Sequence, residues 1–99
     1  MTAPSTGALA RLGFVDADSA MAAAERVGWT ADELAAVGMS ADADAALNAL
    51  GVLHMHAADV ARQLREDTEA FTRTAAVFGA SEALAEFAVR HPEVIGDIA

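Results

Sequence analysis

Ninety-nine residues, 55% of them apolar, allow one domain with one modest core. A net charge of −9, carried with six arginines and no lysine, argues against nucleic acid and against anionic membrane surfaces, whose phosphates call for a basic face. The absence of cysteine removes both a disulfide framework and thiolate chemistry.

Alanine supplies 27 of the apolar residues, so the core is thin and lets helix backbones approach closely. The isolated chain is therefore expected to be marginally stable, or to be completed by a neighbour. Alanine, leucine and arginine are strong helix formers, and strand formers are sparse, so the reading is all-α. The expected architecture is an irregular array of about six short capped helices over residues 1–99.

Residues 1–4 are expected to fray. Ser5 caps a short helix ending near Leu12, with Gly13 as terminator. Phe14 and Val15 form an apolar turn that docks on the body. Asp16 and Asp18 precede a helix over Ser19–Val27, which Gly28 closes; its apolar face is alanine with Met21 and Val27. Trp29 follows, as core first and as an interface anchor second. Thr30 and Glu33 form a capping box for a helix that ends at Gly38. Ser40 or Asp42 starts the next. Leu47, Leu50, His54, Ala57, Ala61 and Leu64 then recur at helical spacing. That run is either one helix to Glu66 or two, broken near Met55–Ala58 with Asp59 as the second cap. The break is preferred, because short capped helices are the rule in this chain.

The stretch from Asp67 to Pro92 concentrates three of the four phenylalanines and is expected to organise the fold. Asp67 caps a helix that buries Phe71, Ala75 and Phe78 and that Gly79 closes. Ser81 caps a second, with Leu84, Phe87 and Ala88 as its buried face. Pro92 stops it by biasing His91 away from α geometry. A last turn over Glu93–Ile98 leaves Val94, Ile95 and Ile98 as an apolar end for something to continue from or dock on. The start MTAPSTGALARLGFVDAD lacks a basic head followed by an apolar run and does not read as a secretory signal, and the charge-free run Ala45–Ala58 is too short to span a bilayer, so the expected address is cytoplasmic.

No catalytic, cofactor-binding or metal-binding residue is assigned. Asp42 and Asp44, after the Gly38–Ser40 turn, spell the D-x-D of a metal-dependent nucleotidyltransferase. Such a pair needs one face of a strand, whereas here it opens a helix, where i and i+2 diverge. His54 and His56 point about 200° apart on a helix, which is wrong for one metal. His91 reads as a C-terminal residue favoured by the helix dipole. Arg62, Arg65 and Arg73 are interleaved with Glu66, Asp67 and Glu69, which suits surface pairing along one helix better than an acidic partner.

Three stretches come in a telling order: Leu9-Ala-Arg-Leu-Gly-Phe-Val-Asp16, Asp42-Ala-Asp-Ala-Ala-Leu47, and Val77-Phe-Gly-Ala-Ser81 leading to Leu84, Phe87 and Arg90-His-Pro-Glu93. Their order and spacing resemble the extreme N-terminal region of actinobacterial glutamine synthetase adenylyltransferase, the bifunctional adenylylating and adenylyl-removing enzyme. The most specific part is G-A-S-x-x-L-x-x-F-x-x-R-H-P, from Gly79 to Pro92; Ala17 to Ser40 is generic. The resemblance implies a parent enzyme with two nucleotidyltransferase domains that uses ATP and magnesium. It also implies glutamine synthetase and a PII protein as partners of that parent in nitrogen regulation. The family's catalytic motifs lie downstream and are absent here, so no catalytic residue carries over. The resemblance implies a helical lead-in that buttresses the adenylyl-removing domain, its apolar end fitting a chain cut where the parent continues. The alternative expectation is a free-standing acidic helical interaction module.

Overall fold

Five helices begin at a side-chain oxygen that accepts a backbone N–H three residues on, the local bond that replaces a missing intrahelical partner. Asp16 accepts from Ser19, Thr30 from Glu33, Asp42 from Ala45, Asp67 from Ala70 and Ser81 from Leu84. Each such cap contributes about 1 kcal/mol. The computed structural model describes residues 6–98, and over them the chain is all-α. In order the helices are α1 (Thr6–Leu12), α2 (Ala17–Val27), α3 (Ala31–Gly38), α4 (Ala43–His56), α5 (Ala58–Glu66), α6 (Thr68–Ala80), α7 (Glu82–Arg90), a 3-10 turn (Pro92–Val94) and α8 (Ile95–Ile98). The expected fraying of residues 1–4 and the Ser5 cap fall outside the described residues. Among the described residues, no helix is long and apolar enough to cross a membrane.

The centre is α4, which packs against α2, α3, α5, α6 and α7, with its closest partner in α6. It buries Ala43, Ala46, Leu47, Leu50 and Leu53. Phe71, Ala75 and Phe78 of α6 are buried as expected, in one core cluster with these α4 residues and with Leu9, Leu34, Val37 and Leu64. Among the described residues, eight of the twenty buried apolar ones are alanines, so the layers sit close and each larger side chain carries much of the burial. The chain does break between α4 and α5. The break falls at Ala57, which offers no side-chain cap, while Asp59 sits inside α5 and pairs with Arg62 at 2.6 Å. The bend lets Leu53, and then Ala61 and Leu64, face one core.

Several expectations are corrected by packing. Gly79 does not end α6, which runs on to Ala80. It is a contact glycine: a Cβ there would lie 2.5 Å from Ser40 Oγ and 3.1 Å from the Asp42 carbonyl oxygen. In α7 the buried pair is Ala85 and Ala88, while Leu84 and Phe87 stand 53% and 50% exposed. Small residues win that face because α7 lies close against α4 and α6. Only half of the Phe14–Val15 turn docks: Phe14 is buried and Val15 projects into solvent. The apolar end is partly covered by the chain itself. Ile95 is buried, and Val94 and Ile98 pack half-buried on the same core, against which α8 folds back through α6.

Candidate functional site

The D-x-D letters are separated by the helix they begin. Asp42 caps α4. Asp44, in the first turn, reaches back across the fold and accepts from the backbone N–H groups of Val15 at 2.9 Å and Asp16 at 2.7 Å. One carboxylate thus holds the α1–α2 turn by two charge-assisted bonds. Among the described residues no group of three or more His, Asp or Glu side chains is close enough together to hold a metal ion. The expected divergence of His54 and His56 is seen in their surroundings: His54 is half-buried against Trp29, ring centroids 6.0 Å apart, and His56 is exposed. His91 follows the last residue of α7, 4.7 Å from the Phe87 ring, with Nδ1 3.6 Å from Glu93.

Arg62 and Arg73 pair along their own helices, as expected, with Asp59 and Glu69. Arg65 does not. Its guanidinium leaves α5 and grips Glu33 with both edges, Nε to Oε2 at 2.7 Å and Nη2 to Oε1 at 2.8 Å. Nη2 also donates to the Gly28 carbonyl oxygen at 3.0 Å, at the C-terminal end of α2. That end is shaped by Gly28 itself, whose φ of 79° suits a residue without a Cβ. The same guanidinium lies 4.6 Å from the centre of the Trp29 ring, and Nη1 lies 3.5 Å from His54 Nε2. One cation therefore joins the end of α2, the start of α3 and the end of α4 from a position on α5. Trp29 is core, as expected, in contact with Phe71, and its Nε1 is buried with no hydrogen-bond partner. Nothing local marks Arg65, because its partner lies 32 residues away; only the planar fork of an arginine near a capping box hints at it.

Burial pushes the Glu33 carboxyl upward, but the Arg65 guanidinium and the Thr30 N–H outweigh it and hold it below the ordinary value of 4.5. A carboxyl depressed in the folded state contributes stability above its unfolded value and loses it as pH falls through the folded one. Melting temperatures taken from about pH 6 down to about pH 3 should therefore fall more steeply for the native chain than for Glu33→Gln. Parallel curves would show that this pair is not felt. Asp16 is lowered too, by the Ser19 N–H first and the Ser19 hydroxyl second, and it is unchanged in both chains of that comparison.

A groove of about 640 Å³ lies between α2 and α4. Its floor is Ala20, Ala23, Leu47 and Gly51, with Asp16 and Asp44 at one end and Arg26 and His54 at the other. The second surface is the outer side of α7, where Leu84, Phe87 and His91 share an arc of about 60°. No protein-family model, no curated protein and no solved structure matches the chain.

Proposed function

We propose that this chain is the helical lead-in of a glutamine synthetase adenylyltransferase/adenylyl-removing enzyme, and that it buttresses the adenylyl-removing domain. The carrying observation is how the resembling run Gly79–Pro92 is used. Some of its letters serve the fold: Ser81 caps α7, and the helix ends just before Pro92. Leu84, Phe87, Arg90 and His91 are exposed and add little to the core. A half-exposed leucine and phenylalanine on one ridge suit a neighbouring protein surface. On this reading the chain is cytoplasmic. ATP and magnesium belong to the parent's catalytic domains, and glutamine synthetase and the PII protein are met by the whole enzyme.

The test adds the chain in trans to the adenylyl-removing domain of an actinobacterial enzyme made without its own lead-in. The expected result is a 1:1 complex that raises the melting temperature of the catalytic domain. Phe87→Ala should weaken it about tenfold, the loss of roughly 1.4 kcal/mol. The chain alone, given ATP, magnesium and glutamine synthetase, should transfer no AMP. Absence of the complex, or robust transfer by the chain alone, defeats the proposal.

A further inference from the structure

Two features of this fold are unused by the monomer, and they match each other. The first is the α2–α4 groove. Asp16 and Asp44 meet at one end and Trp29 and His54 at the other, so the two helices run side by side in the same direction, with acidic N-terminal ends and the Arg26 cation at the C-terminal end beside His54. Arg26 is exposed and has no ion-pair partner among the described residues. In the floor, Gly51 has neither a left-handed backbone nor a neighbour within 4 Å of where a Cβ would stand. A glycine inside a helix lowers its stability relative to alanine, and nothing inside this chain repays that. Met55, 81% exposed, stands on the rim.

The second is the α7 ridge. Its nine residues span about 13 Å, close to the roughly 15 Å of helix along the groove. Glu82 and Glu86 flank its N-terminal half, and Arg90 and His91 close its C-terminal end. Laid antiparallel to α2 and α4, the ridge sets Leu84 and Phe87 over the Ala20–Ala23–Gly51 floor. Its glutamates then face Arg26 and His54, and Arg90 faces Asp16 and Asp44. Both ends are complementary in that orientation, and both are like-charged in the reverse one.

We propose that the α2–α4 groove is a docking site for the α7 ridge of a second copy of this chain. The contact is small and forms between two chains of net charge −9, so the association is weak and visible at high concentration. The ridge is the one assigned above to the catalytic domain, so the two contacts exclude each other. Self-association is measured on the 99-residue chain alone, and its failure leaves the catalytic-domain experiment standing.

Sedimentation equilibrium is run from about 10 μM to about 1 mM chain, at about 0.15 M salt. The weight-average mass is expected to rise above the 10.1 kDa of one chain. Gly51→Leu plugs the groove from a position where its side chain meets open space, so it should keep the native circular dichroism, with a melting temperature at or above native, while weakening association about tenfold or more. Arg26→Glu should weaken it as well, and Arg26→Glu combined with Glu82→Arg and Glu86→Arg should restore it. A mass that stays at that of one chain up to the highest concentration overturns the proposal. So does association that Gly51→Leu and the charge exchange leave unchanged.

Discussion

Arg65→Met is expected to lower the free energy of unfolding by about 3 kcal/mol, a large share of what a domain of this size holds. The pair with Glu33 is not a surface pair: the two side chains are 21% and 14% exposed. Methionine keeps much of the volume and removes the charge, which strands the Glu33 carboxylate in a site it can barely leave. Incomplete burial discounts the full cost of a broken interior pair to about 2–3 kcal/mol. The lost contact over the Trp29 ring adds about 0.5–1 kcal/mol. At roughly 4–8 °C per kcal/mol, the melting temperature should fall by about 15 °C, read by circular dichroism. Adding Glu33→Gln to Arg65→Met should recover about half of the loss, because the amide is uncharged and still serves the Thr30 N–H. Arg65→Lys should fall well short of native, since an ammonium cannot grip both carboxylate oxygens and the Gly28 carbonyl from one plane. An Arg65→Met melt within about 2 °C of native would refute the role given to this network.

Gly38→Ala is expected to cost about 2–4 kcal/mol, although alanine ordinarily improves a helix. Gly38 ends α3, and a Cβ there would fall inside the carbonyl oxygen of Leu12 at the end of α1. The approach is mutual: a Cβ on Gly13, whose φ is 115°, would lie 2.8 Å from the Gly38 carbonyl oxygen. Backbone meets backbone on both sides, so no side chain can rotate away. Relief requires α1 to lift from α3, which would loosen Leu9 and Phe14, both buried. Gly51→Ala is the control of opposite sign. Its added methyl meets open space, and it should stabilise by about 0.5–1 kcal/mol. Denaturant unfolding of both variants checks the pair. Equal shifts in the same direction would mean that the α1–α3 contact is looser than described. Hydrogen exchange should show the Gly38→Ala loss first in the amides of α1.

What could be read from the letters was the local part. Thr30, Asp67 and Ser81 announce helix starts because a cap closes over three residues, whatever the rest of the chain does, while Asp16/Asp18 and Ser40/Asp42 each offer two candidates between which the structure chooses Asp16 and Asp42. The divergence of His54 from His56, and of Asp42 from Asp44, follows from helical pitch alone. Misreadings came where one residue type serves two ends. Gly28 is a left-handed cap, but Gly79 is a glycine because another segment comes too close for a Cβ; Gly38 ends α3 as expected and is a close-contact glycine as well, and only the tertiary fold shows that second role. In α7 hydrophobicity favoured Leu84 and Phe87 for the core, and close approach to α4 and α6 chose Ala85 and Ala88. The cover of the tail comes from α6, earlier in the chain, and periodicity within the tail does not show it. Of the candidate surfaces, the phenylalanine of the ridge was named and assigned to the wrong side. The groove left no trace in periodicity, since its walls come from helices more than twenty residues apart.

The chain has one tryptophan and no tyrosine. Its intrinsic ultraviolet emission therefore reports from a single place, the junction where Arg65, His54 and Phe71 surround one indole. A fluorescence melt is then a local thermometer, whereas ellipticity averages over every helix. If the two curves coincide, the molecule comes apart as one unit. If emission changes first, the arginine clasp is where disassembly starts.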